Sequence, residues 1–106
     1  MPREQYSGHL DMLLLAALRG RPLHGYAIID EVRRASGNRF DYPEGTVYPA
    51  LHRLEDSGLL RSRWGDADGR HRRVYELTTR GRKALDKHRS EWDRFAAGVR
   101  AVLEQS

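Results

Sequence analysis

Residues 44–60 read Glu-Gly-Thr-Val-Tyr-Pro-Ala-Leu-His-Arg-Leu-Glu-Asp-Ser-Gly-Leu-Leu, and this stretch decides the fold. Val47, Ala50, Leu51 and Leu54 recur at the spacing that brings them to one side of a helix, where they can bury against a core. Tyr48, Pro49, His52 and Arg53 fall on the other side. A short helix that exposes an aromatic, a histidine and an arginine, with no acidic run, suits insertion into a DNA groove. An ordinary amphipathic helix with a solvated outer face has the same pattern, so the flanking segments must discriminate. Proline lacks the amide hydrogen that bonds the carbonyl four residues back, and is tolerated only within about the first turn. Pro49 therefore predicts that the helix does not begin much before Gly45. That places Thr46 and Tyr48 near its N-terminal end, which meets bases and phosphates in helix-turn-helix proteins.

Two short strands follow, residues 59–64 and 74–77, joined by Gly65-Asp66-Ala67-Asp68-Gly69 and the basic cluster Arg70-His71-Arg72-Arg73. Asp-Gly is a strong turn signal, and glycine supplies the positive φ that hairpin turns need. Helix, turn and a hairpin with arginines at its base make a winged helix. In that arrangement the helix takes the major groove, and the wing's cations bind phosphates or reach the minor groove. An arginine run that only keeps an exposed edge strand soluble is the competing reading.

The run Gly45-Thr46-Val47-Tyr48-Pro49-Ala50-Leu51-His52-Arg53-Leu54-Glu55 has His24-Gly25-Tyr26 upstream and Gly69-Arg70-His71-Arg72-Arg73-Val74-Tyr75-Glu76-Leu77-Thr78 downstream. Together these resemble the PadR family of transcriptional regulators. The resemblance covers most of the chain, from about Leu10 to the last helix, with the three motifs in the family's order and spacing. It is similar to the short subfamily, in which a single C-terminal helix replaces a larger dimerisation domain. One departure is Val74, where the family often has a second aromatic beside the one at Tyr75. The resemblance implies that the region of His24 and Tyr26 approaches the DNA backbone, although Tyr26 fits a core position equally well. It also implies a flat, hydrophobic small-molecule effector held between the last helices, with Trp92 stacking on it and Asp11, Met12, Arg89 and Ala96 nearby. A tryptophan that only fills an interface would look the same.

At 106 residues the chain is long enough for one modest core. A formal charge of +4 favours an anionic partner. Arginine outweighs lysine around the hairpin, and its planar fork suits phosphate and guanine. With no cysteine there is no disulfide, thiolate zinc site or cysteine nucleophile. The five histidines show no pair at zinc-binding spacing, so no metal or other cofactor is expected. Asp66-Ala67-Asp68-Gly69 lacks the later glutamate of a calcium loop, whose position is occupied by Leu77. There is no glycine-rich phosphate loop, and no serine sits in a nucleophile elbow. No catalytic residue and no enzymatic function are therefore expected. With neither a membrane span nor a signal pattern at the start, a cytoplasmic protein is the simplest inference.

The first helix is predicted from residue 7 or 8 to 19, with an apolar stripe of Leu10, Leu13, Leu14, Ala17 and Leu18, ending at Gly20-Arg21-Pro22. The second runs from near His24 to Ala35 and buries Tyr26, Ile29 and Val32. Phe40 and Tyr42 should anchor the following connection. The last helix starts near Thr78 or Thr79, either able to cap it, and continues to about Leu103. In it Leu85, His88, Trp92, Phe95, Val99 and Val102 alternate at intervals of three and four, a heptad-like seam. That seam is longer than the small winged-helix body can cover. It is predicted to pair with a second copy of the chain, helped by Leu10 of the first helix, although Leu85 also suits the monomer core.

The expectation is a mainly α fold with a small β-hairpin. Residues 1–78 form a winged-helix DNA-binding domain and residues 79–106 a dimerisation helix. The homodimer would bind an inverted repeat in double-stranded DNA, as a ligand-responsive repressor. Tyr48, Pro49 and His52 are candidates for bases or sugars. Arg53, Arg70, Arg72 and Arg73 are candidates for phosphates or the minor groove, with Thr46, His24 and Tyr26 beside them. His71 suits a neutral wing residue equally well. A winged-helix protein-interaction module and a dimer that binds hydrophobic ligands without regulating genes are the alternatives.

Overall fold

The computed structural model describes residues 2–67 and 69–105, with side chains at 9–66 and 69–105. In chain order the elements are α1 (Pro2–Ala17), β1 (Leu23–His24), α2 (Gly25–Ala35), α3 (Glu44–Asp56), β2 (Leu60–Ala67), β3 (Arg70–Leu77) and α4 (Thr79–Glu104). The three strands form an antiparallel sheet in the order β1-β3-β2. This is a winged helix carrying a long C-terminal helix, as the sequence pattern implied.

The core lies where three helices meet the sheet. Leu14, Leu15 and Leu18 from the first helical region, Ile28 of α2, and Val47, Ala50, Leu51 and Leu54 of α3 are buried against Leu60, Tyr75 and Leu77. The apolar face predicted for α3 is thus buried in full. α2 differs from expectation: Ile28 is its deepest side chain, Ile29 is half-buried, and Tyr26 is exposed. Tyr26 sits in the first turn and turns toward α3 instead of inward. Phe40, expected to anchor its loop, is also exposed, and stacks on the half-buried Tyr42.

α1 begins at Pro2 and ends at Ala17, earlier at both ends than predicted. The chain continues as a tighter turn in which the Leu18 and Arg19 amides bond the Leu15 and Ala16 carbonyls. α3 begins at Glu44, one residue before Gly45 and so within the bound set by Pro49, which stands in the second turn. Pro49 leaves the Gly45 carbonyl without an intrahelical donor, at an exposed position where water can replace it. α3 stops in a Schellman arrangement, with the Leu59 amide on the Leu54 carbonyl and the Gly58 amide on that of Glu55. Gly58 has φ +80°, which reverses the chain into β2.

The wing is longer than predicted. β2 and β3 pair from Leu60↔Leu77 out to Ala67↔Arg70, so the basic cluster belongs to strand β3 and not to the loop. Gly69 supplies a positive φ of 73° at the tip; Asp68 of the expected turn lies outside the described residues. β1, unforeseen, pairs Leu23 and His24 with Tyr75 and Val74 and so carries the start of α2 onto the wing.

Thr78 caps α4: its hydroxyl accepts from the Gly81 amide at 3.0 Å and donates to the Gly58 carbonyl at 2.7 Å. Gly81 lies against the Leu59 backbone, leaving no room for a side chain. Of the expected seam, only Leu85 is buried, with His88 half-buried; Trp92 is exposed but meets His9 of α1 edge-on at 5.4 Å, and Phe95, Val99 and Val102 are exposed beyond it. Leu10, expected at a dimer interface, is covered by its own chain at 5% exposure, and with Leu85 belongs to the monomer core.

Candidate nucleic-acid interface

The three motifs converge on one face. His24, Gly25 and Tyr26 at the start of α2, Tyr48 of α3, and Trp64, Arg70, His71, Arg72 and Arg73 of the wing line an open cleft of about 330 Å³. Its floor is set by a close approach. A β-carbon on Gly25 would lie 2.5 Å from Cζ and 2.6 Å from Cε1 of Tyr48, so glycine is what admits the Tyr48 ring. Tyr48 meets Tyr26 edge-on at 6.2 Å, and the Tyr26 hydroxyl donates to Glu44 Oε1 at 3.0 Å. The Arg72 guanidinium lies 5.4 Å above the Tyr26 ring and 3.2 Å from His24 Nδ1. That same nitrogen accepts from the Ala27 amide at 3.3 Å, making His24 the cap of α2.

Both phenols are held in the protonated, hydrogen-bond-donating form. For Tyr26 the largest cause is its bond to Glu44, then the charge of that carboxylate, partly offset by Arg72 and Arg70. For Tyr48 the largest cause is burial. Arg70, Arg72 and Arg73 have no carboxylate partner among the described residues, so their charges remain available to an anion. Thr46, Pro49 and His52 are exposed on α3 and do not line the cleft.

Arg53 is placed differently from its neighbours. It forms an ion pair with Asp11 of α1, which ties the recognition-helix candidate to the first helix. Burial raises the Asp11 carboxyl above its ordinary value, and the Arg53 and His88 charges only partly oppose it. Asp11, grouped by resemblance with the effector residues, is thus engaged toward α3. Of that group, Met12 and Trp92 line one cleft of about 450 Å³ together with His9, Leu13, Phe40 and Tyr42. Ala96 lines a separate apolar groove along α4, and Arg89 is exposed and lines neither.

Sequence reasoning missed the connection between wing and helix. Arg73 Nε donates to Ser62 Oγ at 2.8 Å, and Ser62 donates from its hydroxyl at 2.6 Å and its amide at 3.1 Å to Glu55. Glu55 lies in the last turn of α3, where the helix dipole disfavours a carboxylate. That placement was a readable signal that the residue has a partner elsewhere. Trp64, also missed, stacks on His71 at 5.1 Å and carries the Arg73 guanidinium 5.3 Å from its ring centre.

A family model, the transcriptional regulator PadR-like family, matches residues 14–87. The chain is 42% identical over 77 residues to "Transcriptional regulator Rv3488" of Mycobacterium tuberculosis, covering 73% of this chain and 69% of that protein. Two crystal structures of PadR family regulators superpose closely. The one from Eggerthella lenta is 32% identical, with TM-score 0.79, covering 100% of this chain and 91% of the other. The one from Clostridium difficile is 30% identical, with TM-score 0.81, covering 90% and 98%. The match spans the cleft, the wing and the first turns of α4, and the chain belongs to the PadR-like family of DNA-binding transcriptional regulators.

Proposed function

We infer that the protein is a repressor that binds an inverted repeat as a homodimer and is released by a small flat ligand. The observation that carries this reading is the uncovered ridge on α4. Trp92, Phe95, Val99 and Val102 are 42%, 61%, 41% and 71% exposed and lie along one helix face. An apolar ridge of that extent marks an association surface. A second copy of the same helix is the partner that a heptad-like spacing fits. On this reading α4 is the dimerisation element and the preceding residues are the DNA-binding domain.

A two-fold dimer offers two copies of the Tyr48 cleft, so its operator would have two half-sites related by a dyad. A ligand in the cleft of Met12 and Trp92 would touch both α1 and α4, whose relative position sets the spacing of the two DNA faces. It lowers DNA affinity to the extent that it binds the mismatched spacing better. Such a protein works where the DNA is, in the cytoplasm.

Sedimentation velocity, with fluorescence anisotropy on the upstream promoter and on a scrambled duplex, tests this. The unaltered protein should sediment as a dimer and prefer the promoter. Phe95→Glu should sediment as a monomer and bind both duplexes weakly and alike. A monomeric unaltered protein with undiminished promoter preference contradicts the reading.

A further inference from the structure

We propose that Trp64 is a DNA-contacting residue of the wing, its ring packed on the sugar edge of the minor groove beside the phosphates held by the arginines. This rests on the DNA-binding role of the cleft. Trp64 is 58% exposed and lines the same open cleft as Tyr48, so a ligand that enters the cleft meets its indole. It is also fixed in place. His71 stacks on it with an interplanar angle of 13°, Asp66 bonds His71 at 3.2 Å, and Arg73 lies over the ring.

Arg73 is bonded in turn through Ser62 to Glu55 of α3, so the indole is held in a set relation to the helix facing the major groove. The occupant follows from charge. Arg73 lies over Trp64, and Arg70 and Arg72 line the cleft it shares with Tyr48, a surface complementary to a polyanion that also presents apolar sugar and base faces. A protein partner with an acidic, aromatic-binding patch is the other class of occupant, and the test separates them.

The chain has two tryptophans, Trp64 and Trp92, so 5-fluorotryptophan labelling gives two fluorine resonances, assigned by Trp64→Phe. With a mixed-sequence duplex at low salt, added until anisotropy shows saturation, the Trp64 resonance should move. It should also lose most of its difference between light and heavy water. Trp64→Ala should bind roughly tenfold more weakly with an unchanged salt slope, because no charge is lost, whereas Arg72→Ala should flatten that slope. Thermal melts of Trp64→Ala close to the unaltered protein would show that the loss is not unfolding. A Trp64 resonance that stays solvent-accessible in the saturated complex, or a Trp64→Ala protein of full affinity, overturns the proposal and leaves DNA binding intact. Absence of any duplex binding by the unaltered protein would overturn both.

Discussion

Replacing Gly25 by alanine puts a methyl group where the Tyr48 ring now lies, 2.5 Å from Cζ and 2.6 Å from Cε1. Carbon atoms in ordinary contact stand about 3.5 Å apart, so the ring must retreat by about 1 Å. It has little room to do so while keeping its edge-on contact with Tyr26 at 6.2 Å. Overpacking of this kind costs about 1–3 kcal/mol. Alanine recovers up to about 1 kcal/mol over glycine in a helix. The net expectation is a loss of about 1–2 kcal/mol, a melting temperature lower by about 5–10 °C in a domain of this size. In a Tyr48→Ala background the obstruction is gone, and the same substitution should stabilise by a few tenths of a kcal/mol or more. The coupling energy should therefore be about 1–3 kcal/mol, read from urea melts of the four proteins followed by circular dichroism. Gly25→Ala should also lose DNA sequence preference as Tyr48→Ala does, since both remove the ring from its place. Additivity within about 0.5 kcal/mol would refute the claim that Gly25 exists to admit Tyr48.

Gly81→Ala should destabilise by about 3 kcal/mol, against the propensity gain of alanine in a helix. Its β-carbon would lie 3.0 Å from the Leu59 carbonyl carbon and nearer still to the oxygen, and backbone cannot step aside as a side chain can. A rise in thermal stability would contradict that packing. Burial raises the Asp11 carboxyl above its ordinary value, so folding shifts its titration toward the protonated form relative to the unfolded chain. Its contribution is present below the unfolded pKa and declines as pH rises through the folded pKa. Asp11→Asn should remove that acid-range dependence in melts. By releasing Arg53 it should also tighten DNA binding and steepen the salt slope by about one; an unchanged slope would argue that Arg53 does not reach phosphate. Ser62→Ala should leave the arginine charges in place yet weaken promoter preference, because it cuts the path from Arg73 to Glu55. Anisotropy on promoter and scrambled duplexes checks this, and full preference would show that the path does not position the wing.

Periodicity carried most of the fold. Val47, Ala50, Leu51 and Leu54 were legible as a buried face because helical spacing and hydrophobicity agree there. The run from Trp92 to Val102 was legible for the same reason, and from Phe95 onward its large apolar side chains are exposed. What stayed hidden depends on contacts between distant segments. β1 is too short for any periodic signal, and exists because β3 offers it a free edge. Tyr26 was ambiguous because an aromatic at a helix start suits a core or a surface cluster; the Glu44 carboxylate and Tyr48 drew it outward. The candidate arginines were readable as a group. That Arg53 pairs with Asp11, 42 positions away in sequence, and that Arg73 reaches α3 through Ser62, was not.

Hydroxyl-radical footprinting of the promoter complex addresses the central claim most directly, because it maps where each protomer touches DNA. Two protected patches of equal strength, related by a dyad and separated by about one helical turn, are predicted, each flanked by minor-groove protection from a wing. A single unpaired patch, or diffuse protection without symmetry, would contradict a dimer that presents two copies of the Tyr48 cleft to an inverted repeat.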